Sequence, residues 1–255
     1  MRETIRIFGV KIDKLTLNEV VKKVKELLDG DETKTRTIYT PNTEIIMEAR
    51  KDSKLKDILN DGDLVIPDGI GLIHASRIKK KPLPERVTGF DLSLKLIELS
   101  NKFGYSIYFL GGKEGVALEA KKKVEEKYPN INIVGIQSGY FKGTHTGNAN
   151  HPEEQQIIEN INNSKADILF VGFGAPKQEN WIYENKDKLN CKIIIGNGGT
   201  IDVLAEKVKR APEIYQKLGI EWLYRLMKDP KRLKRQMSLP IFVLIVLFSR
   251  EKVVE

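Results

Sequence analysis

Cysteine, histidine and tryptophan are scarce in this chain: 255 residues include one cysteine, three histidines and two tryptophans. A single cysteine excludes an internal disulfide framework, and Cys191, heading the apolar run Lys192-Ile193-Ile194-Ile195, reads as a buried thiol in a strand of a protein from a reducing cytoplasm. His74, His145 and His151 are too dispersed to assemble a zinc site with that cysteine. His74 is expected to be a packing residue or a support behind the site, and His145 and His151 to be solvated. No apolar run approaches the roughly 20 residues of a membrane-spanning helix. The amino terminus, Met1-Arg2-Glu3-Thr4 followed by Ile5-Arg6-Ile7-Phe8, lacks the apolar stretch of a signal peptide, so export is not expected. Internal repeats and low-complexity tracts are absent too.

The chain has enough apolar residues, 40%, to bury a full core. The expected organisation is one large catalytic domain over residues 1–210 and a helical, membrane-associating appendage over 211–255. Most of the net charge of +8 falls in one stretch of that appendage: between Trp222 and Arg250, seven cations face the single acid Asp229. Directly inside this basic zone lies the apolar run from Leu239 to Phe248. Two placements stay open for it, at an anionic membrane surface or as a final element docked on the protein's own core. Nucleic acid is not an expected partner, because the basic segment has no interleaved aromatics and no nucleic-acid motif accompanies it.

Apolar runs alternate with amphipathic patterns along the rest of the chain. Strands are expected at Thr37 to Thr40, Leu64 to Ile66, Ser106 to Leu110, Ile131 to Ile136, Ile168 to Val171 and Lys192 to Ile195. Thr16-Leu17-Asn18-Glu19 is a capping box that opens a helix to about Leu28. Further helices are expected over Glu44 to Arg50, Ile70 to Arg77, Leu92 to Lys102, Gly115 to Lys127, Pro152 to Asn162 and Pro176 to Asn185. The alternation predicts an α/β fold, a Rossmann-like parallel sheet with helices on both faces. Lys142 to Asn150 reads as a polar surface loop.

The turns that end these strands carry the chemistry. After Leu64-Val65-Ile66 comes Pro67-Asp68-Gly69, which puts a carboxylate at the carboxyl edge of the sheet, where open α/β folds bind ligands. The competing reading is that Asp68 caps the next helix. Gly111-Gly112-Lys113-Glu114-Gly115, leading into a helix, suits a diphosphate, because glycines admit close backbone approach and helix amino ends favour anions. It is neither a dinucleotide fingerprint nor a Walker loop. The turn Gly172-Phe173-Gly174-Ala175-Pro176-Lys177-Gln178 leaves two readings for Gln178, facing the same cleft or solvated in the first helical turn, and Gly196-Asn197-Gly198-Gly199 offers further backbone amides. Asp61-Gly62-Asp63 has the form of a metal-binding pair but precedes its strand, so it reads as a turn at the wrong edge of the sheet.

Six segments in order, TPNTE (Thr40 to Glu44), VIPDGIGL (Val65 to Leu72), RVTGFDL (Arg86 to Leu92), FLGGKEG (Phe109 to Gly115), GFGAPKQE (Gly172 to Glu179) and KRAPEIYQKLGIEWLYRL (Lys209 to Leu226), resemble the WecG/TagA/CpsF glycosyltransferases. The resemblance implies an inverting enzyme that needs no metal or other cofactor. It would move a sugar from a UDP-sugar to a polyprenyl-diphosphate-linked acceptor at the cytoplasmic face of the cell membrane. Within the TagA branch the sugar is N-acetylmannosamine and the acceptor undecaprenyl-diphosphate-linked GlcNAc, in wall teichoic acid synthesis. Carried over by motif, Asp68 becomes the base for the acceptor hydroxyl, and Thr40, Asn42, Arg86 and Gln178 become cleft residues. Asn42 also suits a helix cap, and Arg86 a place as a surface cation near Lys79-Lys80-Lys81. Arg232 and Arg235 would close over the diphosphate, a task for which planar guanidinium groups are suited. A homo-oligomer that buries the apolar run is a further expectation. Two alternatives remain: another donor, such as UDP-N-acetylmannosaminuronate or a UDP-hexose, and a non-catalytic nucleotide- or lipid-binding module on the same scaffold.

Overall fold

The apolar runs become the parallel strands of one sheet. The computed structural model describes residues 3–31, 34–230, 233–249 and 253–255. Ahead of the sheet, β1 (Thr4–Ile7) and β2 (Val10–Asp13) form an antiparallel hairpin turned by Phe8 and Gly9, at φ 49° and 81°. Positive φ at both central residues matches the twist of a two-residue hairpin.

Strands β3 (Arg36–Tyr39), β4 (Leu64–Val65), β5 (Ser106–Gly111), β6 (Asn132–Gln137), β7 (Ile168–Gly172) and β8 (Ile193–Gly196) form a six-stranded sheet in the order β4-β3-β8-β7-β5-β6, parallel throughout. Its side chains alternate between two separate cores. Ile38, Phe109, Phe170 and Ile195 meet α1 (Leu17–Asp29), α5 (Gly89–Phe103), α6 (Val116–Lys127) and α9 (Thr200–Leu204). Tyr39, Leu110, Val171 and Ile194 share the opposite core with α2 (Thr43–Ala49), α3 (Ser53–Asp61), α4 (Ile70–Ile78), α7 (Pro152–Ser164) and α8 (Lys177–Asn185). The expected architecture is therefore present. The hairpin and α3 are additions to it.

Neighbouring strands send their chains to opposite faces: β5 leads to α6 and β7 to α8, β8 to α9 and β3 to α2. Such reversals open crevices at the carboxyl edge of a parallel sheet.

The tail folds into α10 (Glu213–Lys217), α11 (Glu221–Lys228), α12 (Leu233–Gln236) and α13 (Ser238–Phe248). One stripe of α13 docks on α2 and α4, burying Phe242 and Val246, with Phe242 edge-on to Phe8 at 5.9 Å. Another stripe, Leu244, Leu247 and Phe248, stays exposed, Phe248 by 78%. Beyond it the chain returns along β1, where Phe8 N donates to Val253 O (2.9 Å) and Glu255 N to Arg6 O (2.9 Å). Among the described residues no helix is long and apolar enough to cross a membrane.

Two histidine expectations are overturned. His145 is buried rather than solvated, stacked on Phe173 and close to Phe141 (both 4.4 Å between centroids), and burial lowers its pKa. The loop around it satisfies its polarity internally, since the buried carboxylate of Glu154 accepts from Thr144 N (2.7 Å) and Asn150 N (3.1 Å). His74 is exposed because the buried side of α4 is made by Leu72, Ile73, Ala75 and Ser76.

Candidate active site

The loops after β3 and β4 fit together through glycines. A Cβ on Gly69 would lie 2.8 Å from Thr43 N, and one on Gly71 2.5 Å from Thr43 Oγ1, so this approach requires both residues to lack one. Asp68 N donates to Pro41 O (3.2 Å) and Val87 N to Pro67 O (3.0 Å), fixing the loop against its neighbours. The N-cap of α4 is Gly69, without a side-chain capping bond, so Asp68 is not that helix's cap. Instead Asp68 Oδ2 accepts from Gly89 N at 3.4 Å, at the first residue of α5. A helix amino end favours negative charge, and the carboxylate is only half-buried.

Thr40 and Asn42 flank this loop with different tasks. The Thr40 hydroxyl donates to Gly196 O (3.0 Å), joining the ends of β3 and β8. Asn42 Oδ1 accepts from Ile45 N (3.0 Å), making Asn42 the cap of α2.

Across the sheet, β5 and β7 end side by side at Gly111 and Gly172. Gly111 has φ 155°, and a Cβ there would meet Gly172 O at 2.7 Å. Gly112 continues at φ 70°. Gly174 and Gly198, at φ 77° and 54°, have open space where a side chain would project, so their backbones are approachable. Gln178 holds these last two loops: its Oε1 accepts from Gly174 N (3.2 Å) and Gly198 N (3.0 Å), and its Nε2 donates to Glu179 Oε1 (2.9 Å). It is buried, not a solvated first-turn residue, and both polar ends are engaged within the chain. Burial pushes the neighbouring Glu179 carboxyl up to about 7. Sequence reasoning missed two groups beside this cradle. Tyr140, three residues beyond β6, is 74% exposed, and Asp202, in α9, has its carboxyl pKa raised by burial with Lys113 nearby opposing the shift. An aromatic residue soon after an expected strand's carboxyl end was the available signal for the first.

Arg86 is not a free surface cation. Its Nη2 donates to Glu221 at the start of α11, within a mostly buried pair. Arg210 grips Asp91 with both terminal nitrogens (2.7 and 3.0 Å). Burial works against the Asp91 carboxylate, but the bonds from Arg210 and Thr88 outweigh it and hold its pKa below the usual range. Arg232 lies outside the described residues, and although Arg235 falls in the backbone of α12, its side chain lies outside them too. Asp63 is engaged by Arg36 Nη1 (3.0 Å) and Thr37 N (2.9 Å), and Asp61 by Lys186. Both acids precede β4, at the amino edge. No group of three or more His, Cys, Asp or Glu side chains suited to a metal ion occurs among the described residues.

Comparison with known proteins gives the family. The model of the glycosyl transferase WecG/TagA/CpsF family matches residues 5–253. An N-acetylglucosaminyldiphosphoundecaprenol N-acetyl-beta-D-mannosaminyltransferase of Staphylococcus aureus strain MRSA252 is 31% identical over 249 residues, covering 98% of this chain and 94% of that protein. Its counterpart in strain MW2 is 30% identical over the same coverage.

Proposed function

The chain belongs to the WecG/TagA/CpsF glycosyltransferase family, and within it we propose that this enzyme moves N-acetylmannosamine from UDP-ManNAc to undecaprenyl-diphosphate-linked GlcNAc, forming a β-1,4 linkage in teichoic acid linkage-unit synthesis. The observation that carries the catalytic part is the Asp68 carboxylate at the carboxyl edge, seated by the Gly89 amide at the start of α5 and released from capping duty. The relatives' names support the choice of donor and acceptor.

In this reading Asp68 takes the proton from the acceptor's O4 hydroxyl as that oxygen bonds to C1 of the donor sugar and the bond from C1 to the UDP oxygen breaks. A base opposite the leaving group is what an inverting displacement requires. Gly111, Gly112, Gly174 and Gly198 leave room for the diphosphate to lie close, and Tyr140 offers a ring on which a base can stack. Gln178 keeps two of those loops in place, while Thr40 and Asn42 shape the acceptor side. Arg86 orients substrate. Arg232 and Arg235 neutralise charge developing on the departing UDP without a metal. The segment 211–255 works at the cytoplasmic face of the membrane: its cations meet anionic headgroups, and the exposed stripe of α13 enters the interface.

The test is to incubate purified protein with a water-soluble lipid-diphosphate-GlcNAc analogue and a panel of UDP-sugars, following UDP release and product. Turnover confined to UDP-ManNAc is expected. Preference for UDP-N-acetylmannosaminuronate or a UDP-hexose would replace the donor, and no UDP release with any donor would reject the transferase reading.

A further inference from the structure

Acids are few in the basic stretch from Lys209 to Arg235: Glu213, Glu221 and Asp229. Glu221 opens α11, yet its side chain is only 12% exposed and reaches back 135 residues in sequence to Arg86. Its other carboxylate oxygen lies 3.7 Å from Arg210 Nε. Arg210 in turn grips Asp91 and lies over the Phe90 ring at 4.8 Å. Asp91 and Phe90 belong to the first turn of α5, capped when Asp91 N donates to the Thr88 hydroxyl (3.0 Å). One residue after Thr88, Gly89 N meets Asp68. Immediately before α11, Gly219 at φ 70° presses on Ile70 of α4, 2.7 Å from where a Cβ would stand. The tail therefore touches the base-bearing loops at these two places, one of them ionic, in addition to the docking of α13 on α2 and α4.

We propose that Glu221 is a positioning residue that clasps the tail to the loop of Arg86 and to the first turn of α5. The same contact seats the tail over the carboxyl edge and holds Arg86 in its working position. Two guanidinium groups and two carboxylates alternate along the relay, so removing one carboxylate leaves buried positive charge without its partner. Arg86 Nε already has no acceptor among the described residues, so losing Glu221 would remove the acceptor that orients this guanidinium. The seated and released tail are the two states that such coupling requires. The catalytic half of this inference rests on the proposed roles of Asp68, Arg86 and the tail arginines. The clasp itself does not.

The full-length protein is compared with Glu221→Gln, Arg210→Gln and Glu126→Gln, the last removing an equal charge from the exposed side of α6. Hydrogen exchange, read without substrate, should rise at least tenfold for the amides of α11 in the first two variants and stay unchanged in β5, β7 and β8. Glu126→Gln should match wild type. On the water-soluble acceptor, kcat should fall about tenfold or more in both clasp variants, and the KM for donor should stay within twofold, because the tail acts on charge that develops in the transition state. Should Glu221→Gln melt together with its core, Arg210→Gln carries the same test. Unchanged exchange in α11, an equal effect from Glu126→Gln, or a released tail with wild-type kcat each overturns the proposal. If wild type transfers sugar from no donor, the function reading fails, and the exchange measurement still decides the clasp.

Discussion

Replacing Glu179 by Gln should make the protein more stable in alkaline than in acidic solution relative to wild type. This carboxyl sits in the first turn of α8, buried, with one oxygen accepting from Gln178 Nε2 at 2.9 Å and the other without a partner among the described residues. Burial pushes its pKa from the ordinary 4.5 to about 7. Below 4.5 the folded and unfolded chains both hold the proton, and the group contributes nothing to the pH dependence. Between 4.5 and about 7 the unfolded chain ionises first while the folded chain keeps its proton, so rising pH favours unfolding. Above 7 both are ionised and the penalty is constant, about 3 kcal/mol from the difference in pKa at about 1.4 kcal/mol per unit. Glutamine avoids this titration and still offers Gln178 an oxygen. Its amide replaces the unpartnered oxygen, at a pH-independent cost of roughly 1–3 kcal/mol. That offset cancels when each variant is compared with itself across pH. Urea unfolding at constant ionic strength from pH 4.5 to 8 should show the stability difference, variant minus wild type, growing by about 3 kcal/mol in the variant's favour. Parallel stability curves would refute the buried-acid argument.

Asp68→Asn keeps the loop's shape and loses the base, so UDP-sugar binding should persist while turnover falls by about 10² or more; single-turnover rates near wild type would remove Asp68 from the mechanism. Because Asp61 and Asp63 are engaged at the amino edge, transfer should survive exhaustive EDTA treatment. Activity lost to EDTA and restored by Mg²⁺ or Mn²⁺ would contradict it. Replacing exposed Leu244, Leu247 and Phe248 with Ser should reduce binding to anionic liposomes at least tenfold with little change in Tm, since these side chains leave the core untouched. Unchanged liposome binding would move the membrane contact elsewhere, and sedimentation of the same variant reads whether this stripe is instead buried between copies.

The parts of this molecule that were legible in its sequence are those governed by local pattern. Strands buried on both faces must be continuous apolar runs, and β5, β7 and β8 accordingly begin and end within one residue of the expected positions. The hairpin was not legible: its strands are four residues long, and its turn uses Phe8 and Gly9 rather than an Asn-Gly or Asp-Gly pair. Phe8 tolerates its left-handed backbone where Phe242 packs on its ring, a contact from the far end of the chain. The uniformly apolar α13 posed the same problem. Every position invites burial, and only the surfaces of α2 and α4 decide which stripe docks and which remains exposed.

The candidate site divides along the same line. Pro67-Asp68-Gly69 announced a carboxylate at a strand end because each residue's backbone preference concerns its immediate neighbours. What that carboxylate does was decided by distant geometry: Gly69 takes the cap of α4, the glycines at 69 and 71 let Thr43 close in, and the amide that reaches Asp68 belongs to Gly89. Arg86 shows the limit most plainly. Its neighbours Pro84, Glu85 and the lysines before them suggest a solvated cation, while its partner lies in the tail at Glu221, where no periodicity or spacing points back to it. A charge whose partner is that far along the chain reads from sequence as surface. Placed opposite a carboxylate on the first turn of a tail helix, it becomes the joint through which the tail and the loop beside Asp68 hold each other.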